Sequence, residues 1–464
     1  MGEEIGITYA PGLDNSDDFE GCMNNLHDMC AYMKWRFDYV PKLVYLSGGD
    51  VRKPVREAIR ASHMTAVGSS IDIIQEGTQD LTQESLQTAV TGLKSVRFMR
   101  GGIVYFNLGY YNQDQKRRSG DSTIAGDMVD AMIKKHLDNI AFRSHRSGKI
   151  EEKSTYGLKT ISALLDSKFV YHLSDRKQKD ITMNRNILSN LADDREQFDY
   201  MQARYVGSNF VSTGKKLPGF SRDEIRKLDK VGRLTNEKIL FLTFDDWGTD
   251  ESINKILYVL DKYHVKATFF VLTQHVDANP NLLRAIAMAG HEVASHSNTH
   301  KPLADSNADH TEYDSLTQSE TVAMRKDLVK SYNKLFKYTG DIRVDGKKAL
   351  SLDFRPPTLE ISKNGMFEVF DVGFRHIISG DVSTNDYEKD DYDHYLNEMK
   401  YGSPSYEDGF KVKNGSVIVM HMVENAKYTA QVLDEMIPIW KAEGYSFSRV
   451  DQYTDRYTEQ RGAS

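Results

Sequence analysis

Four places in the second half of the sequence set reactive side chains directly behind short apolar runs. Behind ILFLTF, at 239–244, stand Asp245 and Asp246. Adjacent carboxylates repel one another, so a site that keeps both charged needs a cation or a proton between them. One acid can then ligate a metal while its neighbour works as a base; equally, paired acids suit a helix N-terminus, where the dipole favours them. His296 and His300 flank Ser-Asn-Thr. Two imidazoles four residues apart can converge on one ion, and neutral imidazole is a favoured zinc ligand. The nearby His291-Glu292 does not make a zincin helix, because H-E-x-x-H needs histidine where Ser295 stands. Arg355 is followed by Pro356, Pro357 and Thr358, a rigid exit in which forked guanidinium donors are placed to hold a carboxylate. His421 follows VIVM, where an imidazole can serve as general acid or base near neutral pH. Taken singly, each of these also has a structural explanation; their order and their places behind strands carry the argument.

The elements that must position them alternate. The runs at 239–244, ATFFVL at 267–272, HEVASH at 291–296 and SVIVMHM at 416–422 read as buried strands. Between and after them come helices: one with Ile253, Ile256, Leu257 and Leu260 on one face, one closed by Gly290, one bearing Leu328, Val329, Tyr332, Leu335 and Phe336 and stopping at Gly340, and one with Val432, Met436, Ile437 and Trp440. Strand–helix alternation predicts a parallel α/β architecture, either barrel or open sheet, with its chemistry on loops at the C-terminal ends of the strands. The first half alternates less cleanly, with strands at 43–46 and 102–108 and helical faces at Leu86, Val90, Leu93 and at Met128, Met132, Ile133. The polar stretch 206–224 is the expected boundary, which divides the chain into 1–234 and 235–464. Three segment pairs echo each other: 100–108 with 414–422, 44–51 with 376–382, and 9–13 with 355–359. They suggest that the first half holds a diverged, chemically silent relative of part of the second, although chance similarity among β/α strands explains them as well.

With 464 residues the chain is long enough for two or three domains. Lysines and arginines number 60 against 67 acids, a net charge of −7, which argues against a broadly basic nucleic-acid surface. No apolar window reaches the roughly 18 residues of a membrane span. MGEEIGITYAPG has neither a basic nor an apolar segment of a secretory signal, so the protein is expected to be cytoplasmic, or extracellular or in the envelope if a signal is missing from the supplied chain. Cys22 and Cys30 are the only cysteines; on one helix, eight residues separate them by about 12 Å, too far for a disulfide. Composition leaves the oligomeric state open.

The ordered series TFDDW, HSNTH, RPPT and IVMH resembles that of the NodB-homology polysaccharide deacetylases, carbohydrate esterase family four. The likeness covers roughly 235–464 and leaves the first half as an additional α/β domain of accessory role. It implies a distorted (β/α) barrel and metal-dependent release of acetate from N-acetylated amino sugars of a polysaccharide or oligosaccharide. By position, Asp245 would be the catalytic base, Asp246, His296 and His300 the metal ligands, Arg355 the group that orients the base, and His421 the general acid. Zinc is the first choice for two imidazoles and a carboxylate, with cobalt or nickel as alternatives. Three departures bear on substrate choice. Trp247 stands where the family has glycine, which here comes one place later as Gly248. Thr358 replaces the aromatic residue that ends the arginine motif, although its N–H can still serve an oxyanion. The D-x-x-D-W motif is altered around Asp381, Asp386 and Tyr387, so either acid could support His421. Trp247, Pro357, Thr358 and Tyr387 are the expected substrate contacts. A polysaccharide O-acetyl esterase and a catalytically decayed carbohydrate-binding surface protein are the alternative readings.

Overall fold

The structure, a computed structural model, describes residues 6–9, 18–46, 52–68, 71–72, 100–105, 142–151, 161, 183–207, 217–306, 312–402 and 411–462. Contacts divide the chain into two compact units, one of residues 1–136 with 156–170 and one of 137–155 with 171–464.

In the first unit, β1 (Ile7–Tyr9), β2 (Leu43–Leu46) and β3 (Thr65–Val67) form a parallel sheet in that order, joined through α1 (Phe19–Phe37) and α2 (Lys53–Ala61). Cys22, Leu26, Val44, Val55, Ala58 and Ile59 bury one another there. A parallel pair, β4 (Ile71–Asp72) and β5 (Val104–Tyr105), stands apart from that sheet. The strand expected at 43–46 is present, and that at 102–108 is described only as β5. The helical faces at 86–93 and 128–133 lie outside the described residues. Both cysteines sit on α1 as free thiols.

The second unit opens with α3 (Asp194–Ala203), β6 (Tyr205–Val206) and α4 (Arg222–Lys227). Its central strands are β7 (Ile239–Asp246), β8 (Thr268–Val271) and β9 (Glu292–Ser295), connected by α5 (Asp250–Lys262) and α6 (Pro280–Met288). A hairpin of β10 (Asp305–Ser306) and β11 (Tyr313–Asp314) precedes the long α7 (Gln318–Thr339). A second hairpin, β12 (Arg343–Val344) with β13 (Lys347–Lys348), leads into β14 (Leu350–Phe354). Then follow α8 (Lys363–Val372), β15 (His376–Ile378), β16 (Val382–Ser383), α9 (Tyr392–Tyr401), β17 (Val417–His421), α10 (Thr429–Ala442), β18 (Ser446–Phe447) and α11 (Thr454–Gly462). The large sheet runs β16-β17-β7-β8-β9-β14-β15-β6, with β18 also on β7, and every pairing in it is parallel. It is the curled sheet of a distorted β/α half-barrel.

The two-residue period of a strand decides which side chains fill the curl. Along β7, Leu240, Leu242 and Phe244 join the large cluster under the helices. Ile239 and Phe241 join a second cluster with Phe270, Ala294, Ile378, Val417, Val450 and Tyr457. This second cluster is the inner core, and each large aromatic buried in either cluster contributes about 1.5–3 kcal/mol. The same alternation carries Thr243 and Asp245 onto the inner side, above Phe241.

The expected division at 234/235 differs from the structure. Tyr205 and Val206 pair with Ile377 and Ile378 as a strand of the large sheet, and Tyr457 donates to the Tyr205 carbonyl and to Asp229. Polar, turn-rich sequence was the boundary signal, yet α4, which begins within it, is held by a Ser221–Glu224 capping box, so part of that polarity serves a helix start.

Inside the curl lie two buried carboxyls, Glu292 and Asp353. Glu292 accepts from the Thr268 hydroxyl and the Asp451 N–H; Asp353 meets the His376 Nδ1 at 2.8 Å. Glu292 Oε1 and Asp353 Oδ2 are buried without a hydrogen bond to another group; the two carboxyls interact, and one proton shared between them would satisfy both oxygens. Burial, with the Asp451 charge nearby, raises both above the usual carboxylate range. The folded protein therefore holds protons that the unfolded chain releases above about pH 4, and the contribution of this pair to stability falls as pH rises through the window between unfolded and folded values. Below about pH 6.5 the buried His291, His296 and His376, each pulled down to about 3, act in the opposite direction, so thermal unfolding from pH 7 to 9 is expected to show the decline in the parent and a flatter profile in Glu292→Gln. Equal slopes would rule out the shared proton.

Candidate active site

The C-terminal ends of β7, β9, β14 and β17 bring the four sequence signals together. His421 lies opposite Asp245 in the β17–β7 register. Asp246 adopts φ +75°, a conformation rare for a non-glycine residue; the turn takes its side chain out of the strand's alternation and toward the loop after β9. There the ligand atoms of Asp246, His296 and His300 lie within 4.8 Å of one another. Asp246 Oδ1 is buried without a hydrogen bond, 3.7 Å from His296 Nε2 and 3.4 Å from His300 Nε2. An orphaned carboxylate oxygen between two imidazole nitrogens suits a cation. Burial also pulls His296 down to about 3, leaving a neutral ring, the form that ligates. Its Nδ1 is 3.0 Å from the Arg355 carbonyl, which turns Nε2 toward Asp246.

Asp245 is buried beside Arg355, whose guanidinium has no solvent exposure. One Arg355 nitrogen donates to Asp245 Oδ1 at 2.7 Å and to the Thr243 hydroxyl at 2.6 Å, and Nε donates to the Ile378 carbonyl. The guanidinium carbon stands 4.1 Å from the Phe270 ring centre. Desolvation pushes Asp245 up, opposed by Arg355 and His421, and the net position is above the ordinary carboxylate range.

The acid beside His421 is Asp386. Its Oδ1 meets His421 Nδ1 at 2.7 Å, its Oδ2 accepts the His421 N–H at 3.0 Å, and the Thr429 hydroxyl also donates to Oδ2. Asp381, the other candidate, instead accepts from the Ser416 hydroxyl and the Val417 N–H, at the far end of β17. It is therefore not a partner of His421; a carboxylate at the start of a strand cannot reach a side chain at its end. Tyr387 sets its ring edge-on to His421, centroids 4.7 Å apart. Thr358 is exposed with φ +57°, while Pro357 is buried. Trp247 is half-buried against the helix-side core, and the displaced glycine has a steric reason: a Cβ on Gly248 would come within 1.9 Å of the Met422 carbonyl oxygen. In the first half, the basic run Lys116-Arg117-Arg118 and the tyrosines Tyr110 and Tyr111 are of types that can meet a glycan, though a solvated loop and turn packing account for them as well; they lie outside the described residues. Sequence reasoning missed Thr243 and Thr429, since a lone hydroxyl has no spacing signature.

The family model described as polysaccharide deacetylase matches residues 232–377. A peptidoglycan-N-acetylglucosamine deacetylase of Listeria monocytogenes is 27% identical over 226 residues, 49% of this chain and 41% of that protein. A peptidoglycan-N-acetylmuramic acid deacetylase of Bacillus subtilis is 27% identical over 225 residues, 47% of this chain and 72% of the relative. A peptidoglycan-N-acetylglucosamine deacetylase of Bacillus cereus is 30% identical over 217 residues, 46% of this chain and 66% of the relative. Ordered motifs, curled sheet and matched sequence agree: through its C-terminal half the chain belongs to the NodB-homology polysaccharide deacetylases, carbohydrate esterase family four. It spans about two fifths of the length of the Listeria relative.

Burial pulls His421 down, but the bond to Asp386 and the charges of Asp386, Asp245 and Asp246 outweigh it and hold the imidazole at about 9. In metal-free Asp386→Asn the strongest raising influence is gone while burial stays. The His421 value, followed by NMR titration of the ring protons, is expected to drop by at least one unit; an unchanged value would show that Asp386 does not set it.

Proposed function

We propose that the protein is a metal-dependent hydrolase that removes acetyl groups from N-acetylated amino sugars of a polysaccharide, releasing acetate. The convergence of Asp246, His296 and His300 beside the buried Asp245–Arg355 pair and the His421–Asp386 pair carries this reading. The relatives named as peptidoglycan deacetylases support the substrate class. Such a polymer would place the activity at the cell envelope or exterior, and among the described residues no helix is long and apolar enough to cross a membrane.

Asp246, His296 and His300 would hold a divalent ion, zinc by ligand preference and cobalt or nickel as alternatives; bound there, it would polarise a carbonyl and make water more acidic. Asp245 takes the proton from the attacking water, and its raised affinity for protons suits a base. Arg355 holds that carboxylate in place, and the Thr358 N–H is the proposed donor to the oxyanion. His421 Nδ1 is engaged by Asp386, so Nε2 delivers the proton to the departing nitrogen. An imidazole held at about 9 carries that proton at neutral pH. Tyr387, Thr358 and Pro357 are the proposed sugar contacts, with Trp247 shaping the rim from its core-packed side. The first unit is read as accessory, positioning polymer or partner.

Acetate release from N-acetylated oligosaccharides is the direct test. Activity is expected to vanish with chelator and to fall by about 10²–10⁴-fold in Asp245→Asn. His421→Asn should suppress amide cleavage far more than ester cleavage, since an alkoxide leaves without a proton more readily than an amine. Activity on acetyl esters alone would establish an O-acetyl esterase. A protein that binds no metal and releases no acetate would be a decayed glycan-binding relative.

A further inference from the structure

The two histidines of the proposed metal site are held in different ways. His296 is fixed through its own ring, by the Arg355 carbonyl. His300 has no such anchor among the described residues: its ring is partly open to solvent, and its polar neighbour is Asp246, a proposed ligand like itself. Its direction must come from the backbone of 297–300. That backbone is unusual, because Ser297 and His300 both have φ in the left-handed region, +67° and +57°, which non-glycine residues adopt only when their surroundings enforce it.

The surroundings are polar. The His300 N–H donates to the Ser297 hydroxyl at 2.9 Å, and Ser297 N–H to the Ser295 hydroxyl at 3.2 Å. From outside the loop comes one carboxylate, Asp327 on the inner face of α7, between Met324 and Leu328 and only 8% exposed. Its Oδ2 accepts the Asn298 N–H at 2.7 Å and, less closely, the Thr299 N–H at 3.4 Å; its Oδ1 accepts the Thr299 hydroxyl at 2.7 Å. One turn further along α7, Ser331 pairs with Ser295 at 2.8 Å. The helix itself is well anchored, with a Thr317–Glu320 capping box at its start.

We propose that Asp327 is a positioning residue: by clamping the backbone at Asn298 and Thr299 it directs His300, rather than His296, at the metal. The inference rests on the metal site proposed above. A charged acceptor fits the task, because a buried carboxylate can take several N–H and O–H donors at once and binds them more strongly than a neutral acceptor.

Cobalt titration of metal-free protein, read by visible absorption, tests this without reference to turnover. Asp327→Ala is expected to weaken cobalt binding about 10–100-fold, the usual cost of losing an outer partner of a ligand. Asp327→Asn, which keeps one acceptor oxygen, and Thr299→Val, which removes one of the three bonds, should each lose less. The decisive measurement is a double-mutant cycle. In a His300→Ala background Asp327→Ala should change cobalt affinity by less than about 2-fold, whereas in a His296→Ala background it should keep most of its effect. Urea unfolding of each metal-free variant checks folding; if Asp327→Ala does not fold, Thr299→Val and Asp327→Asn are put through the same cycles. Parental affinity in all three variants, or effects that multiply undiminished with His300→Ala, would overturn the proposal. If the parent itself takes up no cobalt, or His296→Ala binds as well as the parent, the metal reading fails first and this inference with it.

Discussion

Arg355 lies wholly inside the curl of the sheet, and the charge that answers it is Asp245. Taking both groups out of water is costly, and a pair of this kind holds only with close geometry and further hydrogen bonds. Those bonds reach in several directions. The guanidinium binds Thr243 on β7 and the Ile378 carbonyl on β15, its face rests on Phe270 of β8, and its own carbonyl orients His296 beyond β9. Thr243 in turn donates to the Ile418 carbonyl on β17. One side chain thus ties together the strands that present every reactive group. Removing either charge would strand the other in the interior, at a cost of about 3–5 kcal/mol, so the placing of Asp245 and the shape of the curl are one requirement.

The two neighbouring acids show how the fold separates chemically identical groups. Asp245 follows the strand's alternation inward and is neutralised by a guanidinium. Asp246, one residue on, is turned by a left-handed backbone to face two imidazoles with an oxygen unsatisfied. Different environments, not different side chains, suit one to the proposed role of base and the other to that of a proposed ligand.

Much of this was readable in advance because it depends on local periodicity. The central strands β7, β8 and β17 are long or strongly apolar, and the helices that follow strands in this half carry clear three- and four-residue spacing. What escaped depends on contacts distant in sequence. β6 has only two residues, and nothing in Tyr205-Val206 announces that its partners are Ile377 and Ile378. The choice between Asp381 and Asp386 turned on strand direction: five residues of chain place them at opposite ends of β17, a distinction invisible to spacing alone. Asp327 has no spacing signature, because its loop partners are 28 and 29 positions away.

Gly248 illustrates a different kind of dependence. Met422, whose carbonyl lies where a Cβ on Gly248 would sit, directly follows His421, and the Met422 N–H donates to the Asp245 carbonyl. The Ser252 hydroxyl closes the same junction from α5. A single added methyl would act as a wedge at this seam, prising the turn that follows Asp245 and Asp246 from the strand that bears His421. A lesion so small would separate Asp245 from His421 while leaving every polar side chain of the site in the sequence.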